Sequence, residues 1–182
     1  MKLAKSMWRP MLLGAVVTLV LVGAAGATPT EKPSALSSQR KLVLTAADFY
    51  PVDNTVQYTN LGDWLATTAN ATEEAFLGPV DFPTYTRVRV DKVELYAFDN
   101  NSSGRITLTL YRDKPSTASE VSMTHIDTGV NFADTTDPRT WQTTAITPNV
   151  VYSANDTYLY ITIDDDTNLY FYGVTIYYRV GK

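Results

Sequence analysis

From residue 41 onward, apolar and polar side chains alternate with a period of two. In residues 105–112, Ile106, Leu108 and Leu110 fall on one side and Thr107, Thr109 and Tyr111 on the other, the pattern of a half-buried strand. In residues 88–98, Val93, Leu95 and Ala97 share one face and Glu94, Tyr96 and Phe98 the other. Val88 and Val90 are out of phase with them, which predicts a bulge or bend near Asp91-Lys92. Between the two segments lies Asp99-Asn100-Asn101-Ser102-Ser103-Gly104, dense in turn formers, so a hairpin is expected. A second hairpin is expected at the end of the chain. There Leu159, Ile161 and Ile163 alternate with Tyr158, Tyr160 and Thr162. Asp164-Asp165-Asp166-Thr167-Asn168 makes the turn into a closing strand over 169–180. Val174, Ile176, Tyr178 and Val180 share a face of that strand, and Gly173 interrupts it where it is expected to bend between sheets.

Shorter strands are expected at 41–46, 55–58, 74–77, 121–126, 141–146 and 150–152. Residues 55–76 are ambiguous, because 64–66 and 69–76 could form a short helical turn, although Thr and Asn weaken that propensity. Eight or more short strands with turn signals and no helix–strand alternation indicate an all-β chain. Two packed antiparallel sheets, a β-sandwich of jelly-roll-like form, are the natural solution.

The N-terminus has a different character. Lys2, Lys5 and Arg9 precede an apolar run over 11–22, and Ala25-Gly26-Ala27 ends it. This is the layout of a secretory signal peptide, with an uncleaved anchor as the alternative, since 17 residues from Met11 to Ala27 are at the short limit for crossing a bilayer. Residues 28–40 are rich in Thr, Pro, Ser and charge and read as a flexible spacer. The expected organisation is a signal peptide helix at 1–27, a spacer at 28–40 and a β-sandwich domain at 41–182.

Composition narrows the chemistry. Of 182 residues, fifteen are Lys or Arg and nineteen Asp or Glu. Removal of residues 1–27 leaves a balance of −7, which disfavours nucleic acid because phosphate contacts need clustered cations. The absence of cysteine excludes disulfides, thiolate metal sites and cysteine nucleophiles. A cysteine-free exported chain fits a bacterial source better than a small disulfide-stapled eukaryotic domain.

The run Gly78-Pro79-Val80-Asp81-Phe82-Pro83 is followed by Val88 and Val90. Then come Leu95-Tyr96-Ala97-Phe98-Asp99-Asn100 and Ile106-Thr107-Leu108-Thr109-Leu110-Tyr111-Arg112. With the ending Leu169-Tyr170-Phe171-Tyr172-Gly173-Val174-Thr175-Ile176-Tyr177-Tyr178, these segments resemble a loose group of uncharacterised secreted bacterial single-domain β-sandwich proteins. The resemblance covers roughly residues 78–180. It implies a fold and an exported location, at the cell surface, outside the cell or in the periplasm, and brings no active site.

Candidate chemistry is sparse. His125 is the only imidazole, and nothing matches the Gly-x-Ser-x-Gly elbow. Carboxylates such as Glu73, Glu74, Glu94 and Glu120 show no spacing that singles out a hydrolytic pair. Asp164, Asp165, Asp166 and Asn168 offer hard oxygen ligands suited to Ca2+, although Asp and Asn are also ordinary turn residues. The unusual feature is twelve tyrosines. With Leu159 and Ile161 facing the core, Tyr158 and Tyr160 face out, and Tyr170 and Tyr172 are expected to pair across from them. Tyr96 and Tyr111 are expected to do likewise, and Trp141 is a further aromatic platform. Such a face suits subunit or surface-protein contact, or stacking on sugar rings; the plainer use is cross-strand stabilisation. The sequence therefore indicates an exported non-enzymatic β-sandwich serving as a structural or adhesive unit, self-assembling or binding another surface protein. The alternative is a carbohydrate-binding module, with a small carboxylate-dependent hydrolase behind both.

Overall fold

The computed structural model describes residues 38–68, 73–83, 86–129, 137–164 and 168–181. Twelve strands run through them: β1 (Arg40–Thr45), β2 (Tyr50–Pro51), β3 (Tyr58–Asn60), β4 (Leu65–Thr67), β5 (Glu74–Pro79), β6 (Arg87–Asp99), β7 (Ile106–Lys114), β8 (Ser119–Asp127), β9 (Arg139–Thr143), β10 (Val150–Tyr152), β11 (Asp156–Ile163) and β12 (Leu169–Gly181). They form two antiparallel sheets, the β-sandwich that the alternation indicates. In the front sheet β12 lies beside β6. The far edge of β12 pairs with β4 and then β1, and the far edge of β6 pairs with β9 and β10; β3 extends β4. The back sheet has the order β2-β5-β11-β7-β8.

The inner faces carry the aliphatic residues that the alternation selects. Val93, Leu95 and Ala97 on β6 meet Leu108 and Leu110 on β7 and Leu159, Ile161 and Ile163 on β11 in one core, closed by Phe76, Phe171 and Ile176. Each large apolar side chain so enclosed contributes roughly 1.5–3 kcal/mol, far above a surface ion pair at about 0–1 kcal/mol. The phase break in β6 is a bulge. Tyr177 opposes Lys92 and Tyr178 opposes Val90, so Asp91 is the extra residue and the valines on either side both point inward. The Asp91 carboxylate is thereby turned between Arg89 and Arg179, each at 2.9 Å.

Neither expected hairpin exists as a pair of neighbouring strands. β6 is in the front sheet and β7 in the back; β11 is in the back sheet and β12 in the front. The chain changes layer between β6 and β7 and again between β11 and β12, and the true pairs are β6 with β12 and β7 with β11. The two arches lie side by side, with Asn100 N–H donating to the Asn168 carbonyl at 3.1 Å and Asp164 N–H to the Arg105 carbonyl at 3.0 Å. The turn chemistry itself is as expected. Asn101 Oδ1 accepts from Ser103 N–H at 2.8 Å and Gly104 N–H at 2.9 Å. Such a side chain satisfies the loop's own backbone whether the flanking strands pair or diverge, so it carries no information about which layer comes next.

Gly173 is a bulge position within the front sheet, not a crossing point between sheets. β12 pairs Phe171 with Ala97 and Gly173 with Tyr96, leaving Tyr172 as the extra residue. A side chain at Gly173 would start 2.4 Å from the Leu44 carbonyl oxygen of β1, so glycine is what lets β1 approach. Of the ambiguous stretch, 58–67 forms the hairpin β3–β4, 74–76 opens β5, and 69–72 lie outside the described residues; the short strand expected at 55–58 contributes only Tyr58. The signal peptide at 1–27 and the spacer up to residue 37 lie outside the described residues. Among the described residues no helix is long and apolar enough to cross a membrane.

Candidate functional site

The six candidate tyrosines lie on outer faces, divided between the two layers. Tyr96, Tyr170 and Tyr172 are on the front sheet; Tyr111, Tyr158 and Tyr160 are on the back. The expected pairing of Tyr170 and Tyr172 with Tyr158 and Tyr160 therefore does not form, because β11 and β12 belong to different sheets. Cross-strand pairs form within each layer instead.

On the front sheet, the bulge that makes Tyr172 the extra residue brings its ring to 5.3 Å from that of Tyr96, at 47°. The residue opposite Tyr96 is Gly173, which has no side chain. Tyr96 stays 45% exposed, and the space beside it is a cleft of about 390 Å³. Val43, Leu44 and Thr45 of β1 form one wall, Thr140 of β9 lies opposite, and Asp63, Glu94 and Thr175 supply further polar groups.

Local chemistry fixes each wall. The turn after β1 is pinned by Asp48, whose Oδ2 accepts Thr45 N–H at 2.7 Å, and by Asn60, whose amide donates to the Ala46 carbonyl at 2.9 Å. Gly62 has φ +89° in the β3–β4 turn, a conformation that favours glycine, and the turn presents Asp63. At one end of the face Tyr170 packs between Trp64 at 5.0 Å and Phe98 at 5.6 Å. At the other, Lys92 and Lys41 lie over the Tyr177 ring at 4.0 and 5.0 Å.

Two groups in the cleft are electrostatically tuned. Burial alone would raise the Glu94 carboxyl. Hydrogen bonds from Lys92 Nζ at 2.6 Å and Tyr177 Oη at 2.8 Å outweigh it and hold the group below the usual carboxylate range. Glu94 is therefore a fixed anion and an acceptor. The Tyr172 phenol is pushed up, first by burial and then by the Tyr96 and Tyr170 phenols and Asp63, so it stays a neutral donor.

The back sheet uses its tyrosines on one another. Tyr111 stacks on Tyr158 at 5.3 Å and 22° and meets Tyr160 edge-on at 6.4 Å. Tyr158 Oη donates to Glu120. Burial, then the Glu120 hydrogen bond and charge, push its phenol strongly upward. His125 lies exposed on β8, hydrogen-bonded to Thr109 at 2.9 Å.

The remaining candidates sit elsewhere. Trp141 on β9 is opposite Leu95 and packs against the edge of the core. Asp164 Oδ2 accepts Arg105 N–H at 3.1 Å, and Asn168 takes φ 72°. Asp165 and Asp166 lie outside the described residues. Among the described residues no group of three or more His, Asp or Glu side chains is placed to hold a metal ion. A second cavity of about 320 Å³ lies at the opposite end of the sandwich from the arches, over Val80, Phe82, Val88 and Val151, with Asp81 and Asp156 in its lining.

No family model and no curated protein matches this chain. Among solved structures it is similar to the C-terminal CBM6 module of LamC from Zobellia galactanivorans. That match has TM-score 0.48 and 14% identity, over 75% of this chain and 98% of the module. It is also similar to CBM86, a low-affinity xylan-binding module from Roseburia intestinalis, with TM-score 0.42 and 14% identity over 75% of this chain and 94% of that one. The VP2 protein of infectious bursal disease virus matches with TM-score 0.40 and 12% identity, over 81% of this chain and 34% of VP2. Likenesses this distant carry no argument about a ligand, which rests on the chain's own residues.

The sequence singles out Tyr96 and Tyr172 correctly as outward rings and names Glu94 among its carboxylates. It does not find the walls. Val43, Thr45, Asp63 and Thr140 reach the cleft only through long-range pairing of β1, β4 and β9. The one local signal is Gly173 next to Tyr172 in an otherwise unbroken strand.

Proposed function

We propose that this chain is a non-catalytic glycan-binding β-sandwich whose working surface is the front-sheet cleft. The observation that carries the reading is the pair Tyr96–Tyr172 at the floor of an open cleft ringed by hydroxyls and carboxylates. A sugar ring has an apolar face that stacks on an aromatic ring and an equatorial edge of hydroxyls. The rings of Tyr96 and Tyr172 suit the face; Glu94, Asp63, Thr45, Thr140 and Thr175 suit the edge. The ionised Glu94 accepts hydroxyl protons but is the wrong state for a general acid, which speaks against glycoside hydrolysis. The N-terminal 27 residues, read as an export signal, would deliver the domain to where polysaccharides are met. The test is affinity electrophoresis in gels containing soluble polysaccharides. Retardation that Tyr96→Ala abolishes supports the reading, and no retardation by any polysaccharide overturns it.

A second reading, adhesion to another protein or to a second copy, is favoured by a different observation. Val43, Tyr50, Val52 and Leu61 are large apolar side chains between 47% and 65% exposed on β1, β2 and the neighbouring turns. Light scattering after size exclusion tests self-association; a strict monomer at high concentration counts against it.

A further inference from the structure

We infer that the glycan taken by this cleft is uncharged, and that Glu94, seconded by Asp63, is what turns acidic glycans away. The inference rests on the glycan-binding reading and adds the class of ligand.

The cleft is asymmetric in charge. Its charged lining residues are Asp63 and Glu94, and neither lysine nor arginine lines it among the described residues. Two lysines are committed beside it. Lys92 holds Glu94 Oε1 at 2.6 Å and lies over the Tyr177 ring, and Lys41 lies over the same ring. On β9, Thr140 is the register partner of Tyr96 and shares its face, while Arg139 pairs with Ala97, whose side chain points inward. Side chains alternate along a strand, so β9 presents Thr140, not Arg139, to the cleft.

Glu94 is also fixed in place. Lys92 engages one of its oxygens and Tyr177 the other. An ionised carboxylate has about four acceptor positions, so two of them remain for sugar hydroxyls. A ring stacked on Tyr96 and Tyr172 that carried a carboxylate or sulfate would set that anion against Glu94 and Asp63, with no cation in the lining to receive it. Asp63 and Glu94 repel such an anion, with Lys92 and Lys41 offsetting part of the Glu94 charge. Neutral hydroxyls meet acceptors there, together with the neutral phenol of Tyr172 as donor.

The test is a glycan array, probed with the full chain, in which neutral glycans stand beside their uronate- and sulfate-bearing counterparts. The expected result is neutral glycans bound about tenfold or more tightly than the charged counterparts, a difference of roughly 1.4 kcal/mol. The gap is expected to narrow as salt screens the repulsion. In Glu94→Gln the ratio of neutral to acidic binding is expected to shrink. Asp63→Asn, at an exposed turn, repeats the test at a position where folding is not at stake. Acidic glycans bound as well as neutral ones overturn the inference and leave the glycan-binding reading standing. A neutral preference unchanged in both variants overturns the role given to the two carboxylates. No binding to any glycan overturns the reading itself.

Discussion

The two outer faces of this sandwich carry nearly the same tyrosine count and use it in opposite ways. On the back sheet β11 and β7 pair without a bulge, Tyr158 opposite Tyr111, and the rings close on each other and on Glu120. On the front sheet a bulge at Tyr172 and a glycine opposite Tyr96 open the register, and the rings floor a cleft. Aromatic residues are thus spent on cohesion where the ladder between their own two strands is regular, even though β8 shifts register beside Tyr111 on the other side of β7. They become available to a ligand where one extra residue and one missing side chain break it.

Gly173→Ala is the harshest way to break this contrast. Its Cβ would lie 2.4 Å from a backbone oxygen of β1, which cannot rotate away. Overpacking of this kind costs about 1–3 kcal/mol, and urea denaturation should show a loss at the upper end. The same change displaces a wall of the cleft, so polysaccharide retardation should fall with it.

A matched pair of truncations sharpens the contrast. Tyr96→Ala should cost glycan affinity about tenfold or more, as expected for a central aromatic contact, with little change in the denaturation midpoint. Tyr111→Ala should do the reverse, losing about 1–3 kcal/mol of stability through two ring contacts and burial and leaving glycan retardation intact. Equal loss of binding in both would end the distinction between faces.

Smaller still is Tyr158→Phe, which keeps the stacked ring and removes the hydroxyl donating to Glu120. A hydrogen bond at this half-exposed position is worth about 1 kcal/mol. The expected outcome is a modest stability loss and unchanged binding.

The smallest effect concerns the arches. Asp99 is almost fully buried, and burial pushes its carboxyl up despite hydrogen bonds from Thr128 and the Asn101 backbone. The folded state then holds that proton more tightly than the unfolded chain, whose carboxyl titrates near the ordinary aspartate value. Its contribution to stability is complete below that ordinary value and is lost as pH rises through the raised folded one. Denaturation at pH 4 and pH 7 should show wild type gaining on Asp99→Asn at the lower pH, with glycan binding indifferent to the change.

Much of this was legible in the residues, and the limits have physical causes. Period-two alternation marks inward and outward sides without reference to partners, so it places Leu108 and Ile161 inward and Tyr96 outward, as found. The phase break at Asp91 announced its bulge. What the alternation does not encode is which strand lies next to which. Asn101 satisfies its loop internally, so the arch from β6 to β7 reads the same as a hairpin. The same gap reaches the tyrosines, because a hairpin reading pairs Tyr170 and Tyr172 with Tyr158 and Tyr160, which lie in different sheets. The cleft walls were hidden for the same reason, since Thr45, Asp63 and Thr140 are far from Tyr96 in sequence.

The most direct test of the open front face and closed back face is fluorine NMR of the chain labelled with fluorotyrosine, titrated with a soluble glycan that retards it. The account predicts that the resonances of Tyr96 and Tyr172 move in proportion to binding while those of Tyr111, Tyr158 and Tyr160 stay where they are. Movement of the Tyr158 and Tyr160 resonances, with Tyr96 and Tyr172 unmoved, would contradict it.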